Sequence, residues 1–346
     1  MEQGEYLSEA DFQRAVAAAV AAKLKGATST ADALADLLGI SKAVAYKRLS
    51  SQTYFSAREL AIIQARLDIV ITPELDDMRP LLTFRAPSSA QSGRYDPKNY
   101  LRLLERAEER LRAARNLEGR ILARVSSSDL PVFYFFQDPA LAAFKLYSFA
   151  VEGTRRPDTP LVLSDFQNTQ AALIDRAQRY ADAYHTIDAV EILSRTPIDN
   201  FLRQVQYFVN VGLLPRLGDA ERLFDGITEV LNRLQEWIER SGKLESSAYQ
   251  LFCNENHYTN SLILVDHPVA SALYVTFDNP NFIVSEQQQA AEFFGRHFDY
   301  LQHISDPVSR VGQLSASRYI GDQTARIERA RRRVRLAHES KALDLD

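Results

Sequence analysis

Residues 37–49, LLGISKAVAYKRL, set a glycine, an isoleucine and a serine between two short apolar-periodic stretches, and this limits the fold more tightly than anything else in the chain. Leu34, Leu37 and Leu38 recur at helical spacing ahead of the glycine. Gly39 has no Cβ, so it can take the left-handed conformation that ends a helix. Ile40 can then turn into a core, and Ser41 can cap a new helix by accepting from an orphan amide. On that second helix Ala45 and Leu49 share a face, which leaves Lys42, Ala43, Tyr46 and Lys47 pointing elsewhere. The spacing predicts two short helices joined by a tight turn, the second with a polar, basic outer face.

The flanks supply cover for so small a unit. Ser8 with Asp11, Ser29 with Asp32 and Ser56 with Glu59 each pair a serine cap with an acid three residues later, which marks a helix start. Phe12, Val16, Ala19, Val20 and Leu24 form one apolar stripe and Leu60, Ile63 and Leu67 another. A four-helix unit over residues 1–79 is expected.

Residues 34–49, LADLLGISKAVAYKRL, resemble the A-x-x-LGIS-x-x-x-LY-[RK]-x-L pattern of bacterial helix-turn-helix regulators, both Cro/repressor-like and Fis-like. Leu38, Gly39, Ile40, Ser41, Tyr46, Lys47 and Leu49 carry the match, and a helix from Ser56 to Leu67 is similar to the fourth helix of the Cro/repressor-like kind. The resemblance covers roughly residues 8–72. It departs at Ala45, where a larger aliphatic residue is usual, and in SSQTYF, which lacks the usual glycine after the second helix. It implies a transcriptional regulator that binds double-stranded DNA, as a homodimer reading half-sites about one helical turn apart.

Local charge agrees. The chain carries a formal net charge of −4, so any cationic footprint must be local. Between Arg14 and Arg66 eight Lys or Arg face three acids, a local +5. In the docking that the resemblance implies, Lys42 reaches guanine acceptors and Ala43 a thymine methyl. Ser41 opens the recognition helix, and Tyr46, Lys47 and Arg48 mix base and phosphate contacts. Ser51, Gln52 and Tyr54 then hold the backbone.

Beyond residue 80 the chain changes character. Residues 80–97, with three prolines and SSAQSG, read as a linker. Residues 98–118 read as an amphipathic helix, with Leu101, Leu104, Leu111 and Leu117 close to a heptad stripe, for a second subunit or for its own chain. Residues 119–310 alternate β-rich runs with helical patterns, giving an α+β fold with an antiparallel meander, for dimerisation or sensing. Thr196-Pro197 reads as a helix start, and Ser285 with Gln288 as another capping box. Two stretches there, LPVFYFFQDPALAAFKLY and VEILSRTPIDNFLRQVQYF, are similar to uncharacterised C-terminal regions of bacterial helix-turn-helix proteins. Residues 311–346 read as a basic C-terminal helix and tail, with seven arginines between Arg318 and Arg335, either solvated or a second phosphate-binding element.

Chemistry is sparse. There is no G-x-x-x-x-G-K, no G-x-G-x-x-G and no G-x-S-x-G, and no pair of the six histidines forms H-E-x-x-H. Cys253 is the single cysteine, which excludes an internal disulfide and a four-cysteine zinc site and suits the cytoplasm. No signal sequence and no membrane span is read, and neither cofactor, metal nor enzymatic activity is expected. The most ligand-like spot is CNENHYTN, where Asn254, Asn256, His257 and Tyr258 either line a pocket for an unknown effector or form a hairpin turn. A protein-binding four-helix module, and an enzyme in residues 119–310 recruited to DNA, stand as alternatives.

Overall fold

The computed structural model describes residues 8–24, 29–67, 69, 82–86, 96–116, 119–153, 160–255, 261–267, 271–278, 281–310, 312 and 314–343. The chain divides into two compact units, residues 1–83 and 84–346. Most of the stretch read as a linker, and Asn256, His257 and Tyr258 with it, lie outside the described residues.

The first unit holds α1 (Glu9–Lys23), α2 (Thr30–Leu38), α3 (Lys42–Leu49) and α4 (Ala57–Leu67). Each start is capped as its side chains dictate: Ser8 accepts from Asp11, Ser29 from Asp32 and Ser41 from Val44. At α4 the exchange is reciprocal, with the Glu59 amide donating to Ser56 and the Ser56 amide to the Glu59 carboxylate. Gly39 ends α2 at φ 66°, and the Ile40 amide reaches back to the Ala35 carbonyl. Val16, Val20, Leu34, Ala45, Phe55 and Ile63 close a small apolar core among the four helices.

A buried glutamine ties that core to the end of α3. The Gln13 amide donates to the Arg48 carbonyl at 2.9 Å, and its oxygen accepts from the Phe55 amide at 2.9 Å. Gln13→Ala leaves the buried Phe55 amide unpaired, at about 1–3 kcal/mol, while the Arg48 carbonyl keeps the Ser51 amide at 3.1 Å. Denaturant melts should show the first unit losing about 2 kcal/mol, with the unfolding of the second unit unchanged.

The second unit is α+β. Its strands are β1 (Leu122–Ser127), β2 (Asp188–Ser194), β3 (Tyr249–Asn254), β4 (Leu262–Asp266), β5 (Ala272–Asp278), β6 (Asn281–Ser285), β7 (Asp306–Ser309) and β8 (Leu314–Ser315). They form one mixed sheet in the order β6-β5-β4-β1-β2-β3-β7-β8. The expected meander exists as β4-β5-β6, but β3 leaves it: β1, β2 and β3 run parallel at the centre, and β3 pairs antiparallel with β7. Near-continuous apolar runs such as AVEIL fit strands that are covered on both faces.

The helices are α5 (Pro97–Arg115), α6 (Val132–Phe135), α7 (Pro139–Gly153), α8 (Leu163–Thr169), α9 (Ala171–His185), α10 (Asp199–Asn210), α11 (Leu217–Arg240), α12 (Gln288–His303) and α13 (Ala316–Leu343). One large aromatic core draws on α5 to α11 and α13 together with Val125, Ala189, Leu193 and Leu251 of the central strands. α12 packs on β4 and β5, and Ile192, Leu264 and Leu273 are buried outside that core.

One expectation is narrowed here and three change. The apolar stripe of α5, read as serving a second subunit or its own chain, is covered by its own chain: α5 packs on α9, and Tyr100, Leu104 and Leu111 join the core. α13 is not an appended tail, since Tyr319, Ile320, Ile327 and Val334 are buried and the helix packs on α10 and α11. α10 starts at Asp199 with no side-chain cap, because Pro197 sits in the preceding turn. Ser285 ends β6 and α12 starts after Gln287, so the capping box there does not form. No described helix is long and apolar enough to cross a membrane.

Candidate nucleic-acid interface

α3 has a buried side and a wide exposed one. Ala45 is fully buried, and Leu49 and Val44 are half-buried. Alanine at this position brings the α3 backbone close to the bundle, which gives a physical reason for the small residue. Ser41, Lys42, Ala43, Tyr46 and Lys47 are exposed, as are Gln52 and Tyr54 just beyond the helix. Tyr46 is 62% exposed, a large apolar-bodied side chain held in solvent by a fully capped helix. The residues expected to read base edges therefore share one open face.

The missing glycine also has an explanation. Ser51 takes φ 57°, the left-handed conformation that a glycine would take more easily, and the Gln52 amide closes the turn onto the Lys47 carbonyl at 2.9 Å. Ser51 is half-buried and shapes this turn.

Arg48 departs from its expected role. Its guanidinium forks onto the Glu59 carboxylate, Nε to Oε2 at 3.1 Å and a terminal nitrogen to Oε1 at 3.3 Å, with side chains only 18% and 11% exposed. Partial burial pushes the Glu59 carboxyl up, but the Ser56 amide and Arg48 more than reverse this and hold it below its ordinary value. Arg48 thus locks α3 to α4 and is not a free phosphate contact. Position in the sequence could not separate it from Lys47, because only the fold brings Glu59 beside it. Lys42 also has a partner, Asp32 at 2.8 Å, but both side chains are at least half exposed. Such a pair is screened and exchangeable, so Lys42 can leave it for a phosphate or a base.

Asn254 of the second half is buried at the end of β3 and donates to the Ser305 hydroxyl at 3.0 Å. It ties the end of β3 to the turn after α12. Among the described residues no group of three or more His, Cys, Asp or Glu side chains is arranged to hold a metal ion.

A second constellation was not legible in the sequence. Glu191, fully buried in the middle of β2, lies between Val125 and Leu251 in register. Its carboxylate accepts from the phenols of Tyr134 at 2.7 Å, Tyr249 at 3.1 Å and Tyr184. Lys243 enters the same box, its ammonium 4.3 Å from the Tyr184 ring centre and within reach of the Tyr184 carbonyl. His185 lies against Trp237, with Nδ1 lacking a partner among the described residues. Burial pushes the Lys243 ammonium down to about 8, although Glu191 and Asp188 oppose the shift. It drives the His185 imidazole well below its ordinary range and the phenols of Tyr134, Tyr184, Tyr249 and Tyr319 well above theirs. Burial also raises the Cys253 thiol to about 11. These groups are buried in the core of the second unit.

Stability should therefore depend on pH with a definite sign. Below about pH 6.5 the unfolded chain protonates His185 and the folded chain does not, so stability falls with acid. Above about pH 8 the folded chain releases the Lys243 proton that the unfolded chain keeps to about 10.4, so stability rises. From about pH 9 upward the unfolded chain ionises Cys253 and then the tyrosines, which stay protonated when folded, and stability falls again. Denaturant melts across this range should place the maximum near pH 9. His185→Phe should flatten the acid limb.

Comparison with protein families, with curated proteins and with solved structures finds no match to this chain.

Proposed function

We propose that the chain is a cytoplasmic DNA-binding transcriptional regulator, acting as a homodimer by occupying an operator. The observation that carries this reading is the open face of α3: Ser41, Lys42, Ala43, Tyr46, Lys47 and Gln52 are exposed together on a helix whose other side is fixed by Ala45, Gln13 and the Arg48–Glu59 pair. A helix anchored so rigidly, with its polar side free, has the form of a major-groove reader. Affinity comes from phosphate contacts by Lys42, Lys47 and neighbouring cations, and specificity from Lys42, Ala43 and Tyr46. We assign the second unit to dimerisation or sensing, with the Glu191 cluster as an internal tie and no catalytic role or cofactor.

Selection of bound fragments from a random duplex pool tests this. It should enrich an inverted repeat whose half-sites lie about 10–10.5 base pairs, or a multiple, apart. A pool that stays random after repeated rounds contradicts the reading.

A further inference from the structure

The seven arginines of α13 fall into two sets. Three face their own chain and are neutralised there: Arg326 holds Asp199 at 2.9 Å, Arg331 holds Glu221 at 3.3 Å and Asp225 at 2.8 Å, and Arg335 holds Glu221. These contacts accompany the buried seam of Tyr319, Ile327 and Val334 and fix α13 on α10 and α11. The other four, Arg318, Arg329, Arg332 and Arg333, are exposed and have no ion-pair partner among the described residues. The helix's own acids in this stretch are engaged: Asp322 bonds Arg195 at 2.9 Å, and Glu328 faces Arg331 at 3.7 Å.

Helical spacing sets the outer four in one line. Arg329 follows Arg318 by three turns, and Arg332 and Arg333 stand one turn further on, so the line runs about 22 Å along the helix. Leu336, one turn beyond Arg332, is 65% exposed on the same side. In a chain of net charge −4 this is an unbalanced cationic ridge held on a rigid, core-anchored helix. Guanidinium groups are weakly hydrated and match phosphate oxygens in a fork geometry. A duplex presents one phosphate charge for about every 1.7 Å of its axis, so a ridge of this length can meet several at once.

We propose that the outer face of α13 is a second DNA-binding surface, which grips the phosphate backbone without reading sequence. This rests on the chain being a DNA binder but uses a different set of residues, and the two can fail separately. The inner arginines hold the helix in place, and the outer arginines bind.

The test is titration of a random-sequence duplex with the full chain between about 50 and 200 mM salt, read by anisotropy. Arg329→Ala with Arg332→Ala and Arg333→Ala should weaken binding at least tenfold at the lower salt. The slope of log affinity against log salt should become shallower by about 2 to 3. The same three positions as lysine should keep most of the slope, which separates charge from any effect on folding. An unchanged slope in the alanine variant overturns the proposal. So does loss of binding to phosphatidylserine vesicles with duplex binding intact, which would make the ridge a lipid-binding face. If the α13 reading fails alone, Lys42→Ala with Lys47→Ala still weakens binding to a selected operator by about a hundredfold. If the α3 reading fails, that double variant binds like the parent chain.

Discussion

Glu191→Ala is expected to cost the second unit about 4 kcal/mol, the loss typical when one member of a buried charged network is removed. The carboxylate is the common acceptor for Tyr134, Tyr184 and Tyr249, and each phenol left unpaired in the core adds a desolvation penalty. The substitution also removes the negative charge that holds the Lys243 ammonium up toward about 8. Lys243 must then lose its proton at lower pH, so the rise in stability with pH should begin below 8 in the variant. Glu191→Gln keeps one oxygen acceptor and should cost roughly half as much. Denaturant melts with near-ultraviolet circular dichroism of Trp237, the single tryptophan, report directly on this box. The core of the first unit shares no buried residue with it and should melt unchanged.

The second large effect is on binding. Lys42→Ala with Lys47→Ala should lower affinity for a selected operator by about a hundredfold, at about 1–3 kcal/mol for a lost base contact and about one unit of salt slope for a lost phosphate contact. Tyr46→Ala should reduce discrimination between operator and random duplex more than it reduces the salt slope. Arg48→Ala is the informative control. Its side chain bonds Glu59, so the substitution should appear as lowered stability of the first unit, not as a shallower salt slope. A four-helix unit that binds protein instead would leave DNA retention unaffected by the double lysine change.

The first unit was legible because its signals are local. A cap at Ser8, Ser29, Ser41 or Ser56 needs only the next three residues, and Gly39 needs only its own φ. Inward and outward residues of α3 followed from spacing alone. Arg48 was misread because its partner lies eleven residues away on another helix. In the second unit the strands could be found, but not their order: β2 and β3 pair in parallel across 54 intervening residues, which no local pattern encodes. The amphipathic stripe of α5 was equally readable, but a stripe does not say what covers it. Glu191 looked like an ordinary acid in AVEIL, and its three tyrosines come from α6, α9 and β3. A network assembled from such distant segments exists only once the sheet has formed.

The central claim is that the exposed side of α3 meets a DNA duplex, and the most direct measurement is retention of genomic fragments by the purified chain at low and at high salt. Strong retention at low salt that falls steeply as salt rises, with preference for particular fragments largely lost in Lys42→Ala with Lys47→Ala, is the predicted result. No retention at low salt, or retention indifferent both to salt and to the two lysines, would contradict the account.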